Sequence, residues 1–330
     1  MSVDVRDMKN LSVILSVLVL VVVILNISST NERLKKLEGE RIYPEAPSSE
    51  REEEEQIDAE NLAIESMNRL QAVSYDLPKQ LAFAGEPVPM DLTDVRERLD
   101  RELHINTYLH NSTIFLMKRA ARWLPQIEVI LKEQGIPEDF KYLPLIESAL
   151  LNDVSPKNAV GFWQILSTSG KELGLEITKE VDERYDPLKS TVAATKYLRK
   201  AYAKFRSWTL VAASYNRGMT GLQKAINNQK VNSYYDLFLN DETSRYVFRL
   251  LAIKEIIEHP DKYGFKVDSS HVYQPEAVRY VEVDKSIKNL VDFSLSQGAN
   301  YKLLKRLNPW LRDEKLNVKK GKKYRIALPA

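Results

Sequence analysis

A chain of 330 residues is long enough for about two domains, and 44% hydrophobic residues are sufficient for a sizeable core. The 48 Lys and Arg residues nearly balance the 46 Asp and Glu residues, which argues against a nucleic-acid-binding protein, because such proteins carry a concentrated basic excess. The absence of cysteine excludes disulfides and thiol catalysis, and the four histidines form no helically spaced pair, so neither a metal ion nor another cofactor is expected.

The first predicted element is an apolar helix from Leu11 to Ile27, a stretch without any charged residue. Its length of about 17 residues reaches the lower limit for crossing a bilayer. A buried core helix would also be apolar, but a segment that is apolar on every face at the N-terminus favours lipid. The residues after it lack the small-residue pattern of a signal-peptidase site, so we expect residues 1–28 to be an uncleaved transmembrane signal anchor.

The next segment, residues 29–90, is polar and rich in acidic residues and prolines, which predicts a linker. Apolar residues at helical spacing then predict helices over residues 95–110 and 113–134, so residues 91–135 are expected to form a helical extension. Further helical segments follow, and no alternating pattern among them indicates a strand. Residues 136–265 are therefore predicted to form a compact helical domain, and the fold class is mainly α.

The last segment changes character, since residues 278–283 alternate between apolar and polar side chains as a half-exposed strand does. Amphipathic helices are predicted over residues 286–296 and 301–307. A closing strand is predicted over residues 324–328. Residues 276–330 are thus expected to form a small, separate β-α-α-β module.

The first candidate functional residue is Glu147, which lies on one of the predicted helices. Its neighbours three and four positions away are all apolar, namely Leu143, Pro144, Leu150 and Leu151. Burial among apolar groups removes water from the charged form of a carboxyl and raises its pKa. A carboxyl that keeps its proton near neutral pH can serve as a general acid. The alternative interpretation is a structural glutamate that pairs with a basic residue elsewhere.

Two further motifs carry polar residues that suit sugar binding. In the segment from Ser155 to Gln164, Gly161 permits a close backbone approach, and the amide of Gln164 can bond a sugar hydroxyl or an N-acetyl group. In the second motif, Tyr215 and Asn216 lie at the end of a helix, where a phenol could orient the acid. Taken singly, each motif is also consistent with packing or helix capping.

The order of the three motifs is far more specific than any one of them. A Glu-Ser pair on a helix, then Gly-x-x-Gln, then Tyr-Asn-x-Gly resembles the family 1 lytic transglycosylases. The Leu-Pro-x-x-Glu-Ser element and the Glu-Thr-x-x-Tyr-Val element that contains Tyr246 look most like the membrane-bound lytic murein transglycosylase D group. The resemblance implies a lysozyme-like α-helical catalytic domain of the SLT type over residues 136–265 and a LysM-like module over residues 276–330.

The same resemblance implies the roles of individual residues and the partners of the protein. Glu147 is expected to be the catalytic acid, and the residues expected to bind the substrate are Ser155, Gln164, Tyr215, Asn216 and Tyr246. The expected partners are peptidoglycan glycan strands and, through the N-terminal helix, a membrane. Because this substrate lies outside the cytoplasm, we expect the catalytic domain in the periplasm of a bacterial cell envelope.

The expected reaction follows from the shortage of carboxylates. Glycoside hydrolysis commonly uses two of them, and the nearby candidates are Asp153, Asp182 and Glu183, of which the last two are expected to be structural. With one carboxylate, Glu147 would protonate the β-1,4 oxygen between N-acetylmuramic acid and N-acetylglucosamine. It would then accept the C6 hydroxyl proton as a 1,6-anhydro ring closes. The alternatives are a goose-type-lysozyme-like hydrolase and a non-catalytic peptidoglycan-binding scaffold.

Overall fold

A computed structural model describes residues 73–330 of the chain. The predicted membrane anchor over residues 1–28, with its apolar stretch from Leu11 to Ile27, and most of the predicted linker lie outside the described residues. Within residues 73–330, no helix is both long enough and apolar enough to cross a membrane.

The described chain is mainly helical and ends in a module that contains strands. The helical part contains β1 (Ala82–Phe83), β2 (Glu86–Pro87), α1 (Thr93–Tyr108), α2 (His110–Glu133), α3 (Leu143–Ser148), α4 (Ser167–Glu172), α5 (Pro187–Phe205), α6 (Trp208–Arg217), α7 (Met219–Gln229) and α8 (Asp241–Glu258). Single turns of 3-10 helix connect several of them, at Glu138–Tyr142, Glu183–Tyr185, Tyr234–Asp236, Pro260–Tyr263 and Ser269–His271.

The hairpin of β1 and β2 lies in the segment that the sequence assigns to the polar linker over residues 29–90. Its turn residues Ala84 and Gly85 have φ values of 53° and 80°, as a tight hairpin turn requires. Phe83 is fully buried and packs edge-on against Phe140 at 5.1 Å between ring centroids. Glu86 accepts hydrogen bonds from the backbone and side chain of Thr209 at the start of α6. Two-residue strands are too short for a recognisable alternation, which is why the sequence does not reveal this hairpin.

Helix α8 provides the centre of the helical core, and it packs against α1 and α6. Val247, Phe248 and Leu251 of α8 are fully buried. Burial of one such side chain contributes about 1.5–3 kcal/mol. An ion pair also joins α8 to α1, with 2.6 Å between Arg245 Nε and Oε1 of the buried Glu102. This packing fixes the register of α8 relative to the rest of the helical part.

The C-terminal module has its four elements in the predicted order. They are β3 (Val278–Val283), α9 (Leu290–Ser296), α10 (Tyr301–Leu307) and β4 (Tyr324–Pro329), and β3 pairs with β4 in antiparallel register from Val278↔Pro329 to Val283↔Tyr324. Helix α9 begins later than the predicted residue 286, because the Asn289 side chain caps it by accepting from the backbone N–H groups of Val291 and Asp292.

The module joins the helical part by backbone pairing, and residues 74–330 form one compact unit. The Asp182 N–H donates to the Trp310 carbonyl at 2.9 Å, and the Arg312 N–H donates to the Glu180 carbonyl at 2.8 Å. Between them, Val181 is buried in the core of the module. The helical part therefore contributes a short edge segment to the C-terminal module.

Candidate active site

Glu147 lies on the six-residue helix α3, which begins next to Pro144. The fixed φ of proline suits the first turn of a helix. The four residues that precede Glu147 on α3, Leu143 to Ile146, are all buried, as the apolar sequence predicts. Glu147 itself is half-buried, so part of the residue is exposed to solvent.

The chain leaves α3 through a strained turn. Ala149 and Leu150 have φ values of 52° and 58°, and two consecutive non-glycine residues in the left-handed region cost about 1–2 kcal/mol each. The turn is held by the Arg119 guanidinium, whose Nε donates to the Ala149 carbonyl at 2.7 Å, and by the buried side chain of Leu150. Strain of this kind concentrates at functional sites, where the surrounding structure enforces it.

Two tyrosines from distant parts of the chain meet at Glu147. The Tyr246 hydroxyl donates a hydrogen bond to Glu147 Oε1. The Tyr215 hydroxyl donates to the Trp163 carbonyl at 2.7 Å. Burial raises the pKa of both phenols well above the ordinary value, and the nearby Glu147 charge raises it further. Both phenols therefore stay protonated and act as hydrogen-bond donors.

The electrostatic environment of Glu147 favours the protonated acid. Burial raises its pKa from the ordinary 4.5 to about 7, against the lowering effects of the Tyr246 hydrogen bond and the Arg249 charge. The Glu242 carboxylate also contributes to this raised pKa. A pKa close to neutral pH allows one carboxyl both to donate and to accept a proton.

The loop after α3, which we call the Gly161 loop (residues 151–166), accepts hydrogen bonds from α3 and from α6. The hydroxyl of Ser148, the residue after Glu147, donates to the Phe162 carbonyl at 3.0 Å, while Tyr215 holds the next carbonyl. Gly161 has a φ of 78°, and a Cβ atom there would lie 2.1 Å from the Arg184 carbonyl oxygen. Only glycine fits this position, because any side chain would overlap the backbone.

Ser155 and Gln164 lie in this loop, but their contacts within the described chain are with the loop itself. Gln164 has a φ of 46°, and its Nε2 donates to the carbonyls of Asp153 at 3.1 Å and Gly161 at 2.9 Å. The Ser155 hydroxyl accepts from the Ala159 N–H at 3.0 Å. The side-chain oxygen of Gln164 is therefore the amide atom that can accept a hydrogen bond from a ligand.

Asn216 is linked to Glu147 through a residue that the sequence analysis did not assign. Its Nδ2 donates to Glu242 Oε1 at 3.0 Å, and its Oδ1 accepts from the Thr243 hydroxyl at 2.7 Å. Asn216 thus fixes the Glu242 carboxylate, which in turn raises the pKa of Glu147. Glu242 precedes Tyr246 by four positions, and residues so spaced share one face of a helix. That spacing is the signal by which the sequence could have revealed it.

The other missed residue is Arg249, on the same helix. Its guanidinium donates to the Ile146 carbonyl at 2.8 Å and carries a positive charge close to Glu147. Arginine is common on exposed helix faces, so nothing in the local sequence distinguishes this one.

Asp182 and Glu183, two of the three carboxylates considered from the sequence as partners of Glu147, have other contacts. Asp182 forms a buried ion pair with Arg184, with 2.7 Å between Oδ2 and the nearer guanidinium nitrogen. Glu183 pairs with Lys189 at 2.7 Å. These contacts agree with the structural roles expected for both. Within residues 73–330, no cluster of three or more His, Asp or Glu side chains is arranged to hold a metal ion.

Two family models match parts of this chain. Residues 126–238 match the family model described as the transglycosylase SLT domain, and residues 279–330 match the soluble lytic transglycosylase C-terminal LysM-like domain. The predicted resemblance is confirmed. The SLT match includes Glu147 and every predicted substrate-binding residue except Tyr246, which lies beyond its end.

Three curated proteins align with this chain. The chain is 28% identical over 246 residues to membrane-bound lytic murein transglycosylase D of Escherichia coli strain K12, and the alignment covers 72% of this chain and 53% of that protein. The figures are the same for the protein of Escherichia coli O6:H1. A putative tributyltin chloride resistance protein of Alteromonas sp. strain M-1 is 30% identical over 125 residues, covering 37% of this chain and 60% of that protein. The chain spans about half the length of the E. coli relatives.

Proposed function

We propose that the protein is a peptidoglycan lytic transglycosylase with a lysozyme-like catalytic domain. It cleaves the β-1,4 bond between N-acetylmuramic acid and N-acetylglucosamine and leaves a 1,6-anhydromuramyl end. The observation that carries the proposal is Glu147, a half-buried carboxyl whose pKa of about 7 lies close to neutral pH. The matches to the SLT and LysM-like family models support the same reaction class.

Glu147 acts first as an acid. Tyr246 donates to Oε1, so Oε2 is the oxygen that carries the proton to the glycosidic oxygen. As the proton moves, the bond between the muramyl C1 and the leaving oxygen breaks. The Tyr246 hydrogen bond and the Arg249 charge, which both lower the pKa of Glu147, stabilise the carboxylate that results. The muramyl N-acetyl oxygen stabilises the cationic C1.

Glu147 then acts as a base. It accepts the proton of the muramyl C6 hydroxyl, and the C6 oxygen forms a bond to C1. Glu147 gives one proton to the leaving sugar and receives one proton from the C6 hydroxyl, so the reaction consumes no water. Glu242 is held by Asn216 at 3.0 Å. We assign to it the role of raising the Glu147 pKa rather than that of a nucleophile.

A matched pair of variants tests this assignment on purified peptidoglycan. Glu147→Gln removes the proton that is transferred, whereas Glu172→Gln makes the same chemical change at an exposed position on α4. We expect anhydro-muropeptides, identified by mass spectrometry, from the parent protein and from Glu172→Gln but not from Glu147→Gln. Products one water heavier would show a goose-type-lysozyme-like hydrolase, and substantial turnover by Glu147→Gln would refute the role of Glu147.

The proposal also fixes a location. The polymer lies outside the cytoplasm, so the SLT domain acts in the bacterial envelope, with the predicted helix from Leu11 to Ile27 as a membrane anchor. Protease treatment of intact spheroplasts tests this, since the SLT domain should be digested while a cytoplasmic marker survives. Protection of the SLT domain would contradict the location.

A further inference from the structure

A cavity of about 340 Å³ lies between the helical part and the C-terminal module, and Glu147 is not among the residues that line it. Its lining includes Trp123 and Gln126 from α2 and Tyr280, Trp310 and Arg325 from the module. Ligand pockets in proteins measure about 300–1,000 Å³ and combine apolar walls with a few polar groups. The cavity meets both criteria, and it exists only because the two parts pack together.

The charges around the cavity favour an anion. Three arginines line it, Arg122, Arg306 and Arg325, against two carboxyls, Glu276 and Asp186. Glu276 is shared between two of the arginines, with 2.6 Å to Arg306 and 3.9 Å to Arg122.

Arg325 is the cation without an acidic partner, since no carboxylate within residues 73–330 forms an ion pair with it. Its guanidinium lies 3.9 Å from the centre of the Tyr280 ring. A guanidinium over an aromatic ring keeps N–H donors available to a ligand, and its fork matches a carboxylate. The side chain is exposed, so an incoming carboxylate reaches it without rearrangement of the fold.

Helix α2 supplies groups that match a peptide backbone. Gln126 donates through Nε2 to the Arg122 carbonyl at 3.0 Å, which leaves its side-chain oxygen as an acceptor for an N–H group. The Trp123 indole N–H has no acceptor among the described residues and can donate to a carbonyl oxygen. An acceptor, a donor and a free guanidinium beside apolar walls together suit a short acidic peptide better than an uncharged sugar.

The cavity is linked to the candidate active site through the Gly161 loop. The Trp123 ring packs edge-on against Phe162 in the Gly161 loop, at 5.2 Å between ring centroids. The Phe162 carbonyl in turn accepts from Ser148, the residue next to Glu147. Asn152, another residue of the cavity lining, belongs to the same loop and donates to the Tyr185 carbonyl at 3.1 Å. The Gly161 loop therefore connects the lining of the cavity to the residue next to Glu147.

We propose that this cavity binds the acidic peptide that branches from the peptidoglycan glycan strand, with Arg325 as the partner of a peptide carboxylate. The inference rests on the proposed function, because it assumes that a peptidoglycan strand occupies the site at Glu147. It specifies the substrate as peptide-bearing glycan, and it makes the C-terminal module part of the substrate-binding surface.

The test measures binding with the full chain carrying Glu147→Gln, so that the substrate is not consumed. Two soluble glycans of equal length serve as ligands, one with its peptides and one from which an amidase has removed them. Arg325→Gln should weaken the binding of the peptide-bearing glycan on the order of ten-fold, as the loss of one charge-assisted hydrogen bond predicts. Its affinity for the stripped glycan should not change.

The matched control is Lys320→Gln, which removes one positive charge from an exposed position of the same module that does not line the cavity. It should leave both affinities unchanged. Equal affinities of Arg325→Gln and Lys320→Gln for the peptide-bearing glycan would overturn the inference, and so would an equal loss for both glycans. Digestion of the two glycans by the parent chain tests the proposed function separately, because it reports the product and not the peptide contact.

Discussion

The replacement of Glu147 by glutamine should stabilise the fold and abolish catalysis in the same variant. The pKa of Glu147 is about 7 in the folded protein, against an ordinary value of 4.5. At 1.36 kcal/mol for each pKa unit, burial of the ionised carboxylate lowers the free energy of unfolding by ~3 kcal/mol. Glutamine has a similar shape and no proton to lose, so its contribution does not change with pH.

The sign of the pH dependence follows from the two pKa values. Below pH 4.5, the folded and unfolded states both keep the proton, and the carboxyl has no effect on stability. As the pH rises from 4.5 to 7, the unfolded chain releases its proton first, so the folded state loses stability relative to it. Above pH 7, the loss is complete. The free energy of unfolding of Glu147→Gln should therefore increasingly exceed that of the parent chain through this interval, and the difference should then stay constant.

Urea denaturation at several pH values between 4 and 8 measures this advantage. We expect the difference in the free energy of unfolding between Glu147→Gln and the parent chain to increase by ~3 kcal/mol over the series. The control Glu172→Gln, at an exposed position, should track the parent chain. A difference for Glu147→Gln that is flat with pH, or that shrinks as the pH rises, would refute the argument that burial raises this pKa.

Two further predictions concern the surroundings of Glu147. Tyr246→Phe removes the hydrogen bond that lowers the Glu147 pKa. The alkaline limb of the pH profile of kcat/KM should therefore move to higher pH, and kcat should fall on the order of ten-fold. An alkaline limb that does not move would contradict the role of this hydrogen bond. Gly161→Ala places a Cβ atom 2.1 Å from the Arg184 carbonyl oxygen at a φ of 78°. This variant should lose about 2–4 kcal/mol of the free energy of unfolding, together with most of the activity. A free energy of unfolding close to that of the parent chain, measured by urea denaturation, would mean that the Gly161 loop relaxes freely.

The contacts that shape the site differ in how visible they are in the sequence. The burial of Glu147 follows from the apolar residues around it on one short helix, because positions three and four apart on a helix are neighbours in any fold. The position of Glu242 and Tyr246 on one helix face is visible for the same reason. The Asn216 to Glu242 bond is not, since it joins side chains on two helices whose packing only the fold defines.

The sequence by itself therefore determined the local features of this protein. These are the helical periodicity, the order of elements in the C-terminal module, and a carboxyl placed where burial raises its pKa. Tertiary structure decided the rest. It brought Tyr246 to Glu147 across 99 residues of chain, docked the hairpin around Phe83, and formed a cavity between the SLT domain and the C-terminal module. The physical reason is that periodicity reports which face of an element is buried, whereas the partner of that face depends on packing between elements far apart in sequence.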